Sequence, residues 1–349
     1  YCQPPKPLKA SVKLCTVNAV DGTDDEAVDL LDFARKIAGE REAAMQDGLG
    51  GTCIDYVRHL HKDALDKENR YKAEFQWVSR ITKRKGELKC KLTTFLQELK
   101  MSSVYHALSG RIDALKQLEH ASDDDAGGEI STRVVRILRE SAGLALESSL
   151  VGQDPESSAA PRPASYASLP CELNPSMTRS LHKAMLGEAQ LVTAHRAEVK
   201  GSSSSLVSAL YSGGRRYFQE AKWAIKGNIG EFEEVNHQMV AYLTLMARLC
   251  SARSFEHSAR QFAQQEQIAE AISAMRQAVA KVDKCAPLAD EHRGWKDVFK
   301  EERARLTVEL GRLDKENNVV YFQKQVSSPS KCAAPKQIVK EIQFSYAGE

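Results

Sequence analysis

The sequence is short of residues that turn a chain. Only 20 glycines and 11 prolines serve 349 residues, too few for the many tight turns of an all-β sandwich or barrel. Long apolar runs are also missing. The longest, Met239 to Ala247, spans nine positions, against the ~20 needed to cross a bilayer. Neither sign of charge dominates: 49 basic against 47 acidic residues leave a net charge of +2. That balance lacks the basic excess of a dedicated nucleic-acid binder, so no nucleic acid is expected as partner. Cys2, Cys15, Cys53, Cys90, Cys171, Cys250, Cys285 and Cys332 are dispersed, with no C-x-x-C pair. A disulfide framework is therefore not expected, and a reducing, cytoplasmic setting suits free thiols. The catalytic signatures G-x-S-x-G, H-E-x-x-H, G-x-x-x-x-G-K-[ST] and G-x-G-x-x-G are absent as well, so no enzyme, catalytic residue, cofactor or metal is expected.

What the chain does contain is helical periodicity. Residues 1–20 read as an extended arm, and Thr23 with Glu26 forms a capping-box spacing that starts a helix. A second helix is expected from about Thr52 to Lys72. Phe75 and Trp77 alternate as in a strand, and helical spacing returns from about Glu87, including Cys90, to His120. Further helices are expected over Glu129–Leu150, from Asn174-Pro175 to Val199, and over Leu206–Lys226. Glu233–Glu256 and Ser258–Lys284 read as two more, and Trp295–Asn317 as the last. Asn318 to Glu349 reads as extended, with Val319, Val320 and Tyr321 strand-like and Ile338 to Phe344 alternating. Gly152 to Cys171, rich in Pro, Ser and Ala, reads as a disordered-like loop, either a domain boundary or an insertion. The succession of helices suits hairpins stacked as a solenoid. A start at Tyr1 suggests a piece of something longer, with no signal peptide.

Several chemistry-bearing residues have plain structural readings. His59 and His61 point to different helix faces, so they read as surface histidines rather than a metal pair. Glu256 and His257 look exposed. The run Arg80, Lys83, Arg84, Lys85 is either a solvated face or a contact for an acidic membrane surface.

Met185-Leu186-Gly187-Glu188-Ala189-Gln190, followed by a second helix ending in Tyr217-Phe218, resembles the Bro-one domain family, the N-terminal module of Alix-like adaptor proteins. Asn317-Asn318-Val319-Val320-Tyr321 looks like that family's N-D-x-I-Y segment. Ala334 to Phe344 fits its extended C-terminal segment. The resemblance implies a mainly α chain: one boomerang-shaped, TPR-like helical-hairpin solenoid over residues 1–349 with a few short N- and C-terminal strands. Residues 152–171 then become an internal loop and residues 318–349 an extended tail.

The implied function is a non-enzymatic scaffold of endosomal sorting, cytoplasmic and recruited to endosomes. It binds the C-terminal amphipathic helix of an ESCRT-III subunit of the charged multivesicular body protein four type, or a divergent equivalent, in a groove. The groove's apolar anchors fall on Leu206 and Leu210, which share a helix face and could equally be core. The family's aromatic falls on Thr193, its lysines on Ala209 and Thr132, and an acidic position on Gly128, with Glu129 beside it. Charging Leu210 is expected to abolish binding and spare the fold. Tyr321 matches a tyrosine used for phosphotyrosine-dependent binding in some members, or it packs. An adaptor role in Rho-type small GTPase signalling is the alternative.

Overall fold

The computed structural model describes residues 36–37, 39–44, 51–64, 75–79, 88–119, 128–151, 170–226, 235, 237–291, 294–324, 326 and 332–346. The expected arm over residues 1–20, the capped helix start at Thr23, most of the loop after Gly152, and Arg80, Lys83, Arg84 and Lys85 all lie outside these. Residues 36–37 and 39–44 are helical. Then come α1 (Gly51–His59), continued by a π-helical turn (Leu60–Ala64), and strands β1 (Phe75–Ser79) and β2 (Leu88–Leu92). Long helices follow: α2 (Phe95–Glu119), α3 (Glu129–Leu150), α4 (Pro175–Val199), α5 (Ser204–Lys226), α6 (His237–Gln264) and α7 (Ile268–Asp283). Short α8 (Ala286–Asp290) and α9 (Trp295–Glu316) complete them. Each of α2 to α6 packs on the next, and α9 returns onto α7, which is the arrangement of stacked hairpins. The mainly helical expectation is met.

The β-hairpin corrects the helical reading around Cys90. Trp77 pairs with Cys90 and Phe75 with Leu92 in antiparallel register, and all four side chains are buried. Leu88, Cys90 and Leu92 alternate, and the aromatic side chains opposite them decide the matter. α6 runs unbroken through Ser258, where two helices were expected. No Gly or Pro interrupts it, and the break falls at Glu266, whose φ is 59°. Val319, Val320 and Tyr321 are not a strand. They continue α9 as a π-helical turn, Asn317–Tyr321, and no strand among the described residues pairs with them. Cys171 is no loop residue either: it is buried and opens a 3₁₀ turn, Cys171–Leu173.

Buried charges tie the early elements together. Glu98 of α2 is fully buried and accepts from Arg41 Nε at 2.6 Å, Trp77 Nε1 at 2.6 Å, Tyr56 OH at 3.1 Å and Ser102 Oγ at 3.2 Å. The Arg41 guanidinium also lies 4.8 Å from the Trp77 ring centroid. A carboxylate taken from water is tolerated only when paired and hydrogen-bonded in this way. Farther along, Arg111 of α2 grips Glu188 of α4 through Nε and Nη2, and Tyr242 of α6 donates to the same carboxylate. Burial first, then Glu188, hold the Tyr242 phenol well above its ordinary value.

The C-terminal residues 332–346 are extended but pair with no strand among the described residues, which corrects the expectation of a C-terminal strand. They form a strap laid across the helices. Lys336 N donates to Ala209 O at 3.0 Å and Ile342 N to Arg139 O at 3.1 Å. The Gln190 amide is fully used: Oε1 accepts from Ile338 N and Val339 N, and Nε2 donates to Lys336 O and Leu210 O. Tyr217 OH donates to Val339 O, and Ser212 Oγ to Ala333 O. The close approach demands glycine beneath it. A Cβ at Gly143 would lie 1.8 Å from Ile342 O, and one at Gly213 would lie 2.4 Å from Lys336 O. Phe344 and Tyr346 anchor the end, with Tyr346 stacked on His61 and within 3.1 Å of Ser103 Oγ.

Glu98→Ala strands Arg41 in the core and should lower unfolding free energy by about 3–5 kcal/mol in urea titration. Arg136→Ala, which breaks only an exposed pair with Glu140, should cost under about 1 kcal/mol. Gly213→Ala should release the strap, read as faster amide exchange at residues 336–342 and a lowered melting temperature.

Candidate functional site

The α4–α5 hairpin is closed by a short connection after Val199, so its helices run antiparallel. α3 is also antiparallel to α4: His182 Nδ1 meets Ala142 O at 3.0 Å, and Arg196 Nη1 meets Thr132 Oγ1 at 2.5 Å. Helical spacing then places residues relative to the strap. On α3, Thr132 lies seven residues before Arg139 and shares its stripe. On α4, Thr193 follows Gln190 by three. On α5, Leu206 precedes Ala209 by three. Because neighbouring helices alternate in direction, all three lie on the same side of the strap, one to two turns beyond it.

Leu206 is half-buried and Leu210 is 2% exposed. Leu210 packs in a compact cluster with Ala194, Val207 and Tyr211, and Leu206 lies at its edge. This corrects the two-anchor reading: Leu210 is core, because Ala194 and Tyr211 already cover it, and only Leu206 offers surface. Ala209 is half-buried and its carbonyl is engaged by the strap. Thr193 is half-buried, with Oγ1 donating to Ala189 O at 2.8 Å. Thr132 is exposed, donating to Gly128 O while accepting from Arg196. Gly128 has φ 66° and leads into the exposed Glu129 in the first turn of α3.

Two contributors were not singled out from sequence. Arg196 reaches across from α4 to α3. Ile338 projects from the strap at 49% exposure while Val339 beside it is buried, so the alternation over residues 338–344 carried the signal.

Beneath this face lies a charge network. Glu198 of α4 accepts from Tyr211 OH at 2.8 Å and lies 3.3 Å from His257 Nε2 and 3.4 Å from Arg260 Nη1. Tyr211 stacks on His257 with centroids 5.6 Å apart. His257 above all, helped by Tyr211 and opposed by burial, pulls the Glu198 carboxyl down to about 2. Glu256 is fully buried, paired with Arg305 of α9 at 2.5 Å and Arg260 at 2.6 Å. The exposed reading of Glu256 and His257 is thus overturned: the rest of α6 is apolar enough to bury this face, and arginines supply the partners. His59 and His61 are also not plain surface residues. His59 pairs with Glu40 and His61 stacks on Tyr346. Tyr321 is half-buried against the main core. No group of His, Cys, Asp or Glu able to hold a metal occurs among the described residues, and no helix among them is long and apolar enough to cross a membrane.

Stacked helical hairpins crossed by a C-terminal strap, with an apolar-edged face beside it, define the class of fold. The BRO1-like domain model matches residues 138–347, and the chain belongs to that family. Solved structures share the fold. A crystal structure of ALIX in complex with the SIVmac239 PYKEVTEDL late domain superposes with a TM-score of 0.70 at 17% identity, covering 92% of this chain. This chain spans 45% of that ALIX chain. An ALIX BRO1–CHMP4C complex gives a TM-score of 0.68 at 16% identity, covering 97% of this chain and 94% of the other. A structure described as the basis for endosomal targeting by the Bro1 domain gives 0.65 at 14% identity, covering 92% and 83%. Comparison with curated protein sequences returns no match.

Leu210→Asp should unfold or strongly destabilise the protein, whereas Leu206→Asp should leave the circular dichroism melt within a few degrees of wild type. For Glu198 the depressed carboxyl stabilises the fold fully above its ordinary value of 4.5 and loses that contribution as pH falls toward about 2. Urea midpoints on either side of that window should therefore fall less steeply for Glu198→Gln than for wild type.

Proposed function

We propose that residues 1–349 act as one unit, a non-enzymatic scaffold of endosomal sorting that docks an amphipathic helix across α3, α4 and α5. The proposed partner is the C-terminal helix of an ESCRT-III subunit of the charged multivesicular body protein four type, or a divergent equivalent, met at endosomes. The observation that carries this reading is the face beside the strap. There Leu206 and Ile338 offer apolar contact between the small side chains of Thr132, Thr193 and Ala209. A helix seated there would place i and i+4 apolar residues on Leu206 and Ile338 and run its polar side past Arg196 and Glu129. Membership of the BRO1-like family and the fold shared with an ALIX BRO1–CHMP4C complex support the choice of partner. The small residues at Thr193 and Ala209 leave fewer anchors than an aromatic and a lysine would, so the affinity expected is modest. A role in Rho-type signalling draws no support from these features.

Calorimetric titration with synthetic ESCRT-III C-terminal helices tests this. Binding should be seen with wild type and fall at least ~tenfold, about 1.4 kcal/mol, in Leu206→Asp and in Ile338→Asp. A folded wild-type protein that binds none of these peptides would refute the proposed partner.

A further inference from the structure

α9 is the last long helix of the stack. Its inner side, with Phe299, Leu306 and Leu313, is buried, and the helix packs on α7. The opposite side carries Glu301, Ala304, Val308, Gly311 and Lys315, all exposed. They follow one another at steps of three and four residues, which draws one seam along a helix. Val308 at the centre is 75% exposed, more than any other large hydrophobic side chain among the described residues. Gly311 is not needed by the fold. A Cβ there would meet nothing within 4 Å, and glycine inside a helix is destabilising relative to alanine.

The charges of the seam are arranged about Val308. Glu301 lies seven residues before it and Lys315 seven residues after it, close to two turns each way. Neither forms an ion pair with another described residue. Asp297, exposed and one turn before Glu301, adds to the acidic end. A copy of α9 laid antiparallel, Val308 on Val308, brings Glu301 of each chain onto Lys315 of the other. On one flank Ala304 then meets Gly311, so nothing larger than a methyl group holds the two backbones apart. On the other flank Arg305 meets Arg312. Each is already held by two carboxylates of its own chain, Glu256 and Glu302 for Arg305, Glu309 and Glu316 for Arg312.

We propose that this face of α9 is the interface of a homodimer, with a second copy of the chain docked antiparallel across a two-fold axis at Val308. A two-fold contact needs a surface complementary to itself. An acid and a base placed symmetrically about an apolar centre meet that need. Parallel pairing would instead set Glu301 on Glu301 and Lys315 on Lys315. A bilayer fits less well, because Glu301 would leave water with no cation beside it. One valine, two small residues and two exposed ion pairs make a weak, reversible dimer that salt loosens. Leu206 and Ile338 lie on other elements, so the dimer does not rest on the helix site beside the strap.

Sedimentation velocity of the full chain over ~1–200 μM, at low and high salt, tests this. Wild type should shift from monomer toward dimer as concentration rises, and shift less at high salt. Val308→Asp, Glu301→Lys and Lys315→Glu should each weaken association at least ~tenfold, with unchanged melting temperature because all three side chains are exposed. The decisive arm mixes Glu301→Lys with Lys315→Glu. Each variant alone sets like charges together, whereas the heterodimer restores both ion pairs, so association should return to within about threefold of wild type. Wild type that stays monomeric throughout overturns the second-copy assignment in favour of a different protein. Association that the three variants leave unchanged also overturns the proposal, as does a mixture that associates no better than its components.

Discussion

A chain segment with no sheet partner still has to satisfy its backbone N–H and C=O groups, and the C-terminal strap does so on the sides of helices. It borrows the carbonyls of Ala209 and Arg139, which already serve their own helices, and it takes both ends of the Gln190 amide. This works only because Gly143 and Gly213 let backbone meet backbone. Bound in this way, the strap crosses α5, α4 and α3 and ends against α2 and α1. It holds consecutive hairpins to one another at a common level. The face that carries Leu206 and Ile338 is positioned by that crossing.

Buried ion clusters supply what apolar packing alone does not, a unique register between helices. Glu98 gathers donors from the first helical segment, α1, β1 and α2. Glu188 joins α2, α4 and α6. Glu256 and Glu198 join α4, α5, α6 and α9. Each carboxylate is satisfied by several donors, so sliding one helix by a turn would strand a buried charge.

Much of the architecture was legible. The Asn174-Pro175 start of α4, the limits of α3, and the Met185-Leu186 and Tyr217-Phe218 pairs all read correctly, because helix caps and 3.6-residue periodicity are local. The M-L-x-x-A-Q resemblance led to the family, and Gln190 and Tyr217, which belong to it, turn out to bind the strap. The misreadings have one origin. β2, the burial of Glu256 and His257, and the core position of Leu210 depend on what packs opposite, which no single window of sequence contains.

The sequence by itself determined most of the helices, that they succeed one another with few turns, and which family they belong to, since propensity, capping and motif order are properties of neighbouring residues. Only the tertiary structure decided which of two leucines four residues apart is core and which is surface. It also decided which glycines are crossed by the strap. The first rests on Ala194 and Tyr211, packed against Leu210 by the pairing of two helices, and the second on residues more than a hundred positions apart, brought together by the stacking of hairpins.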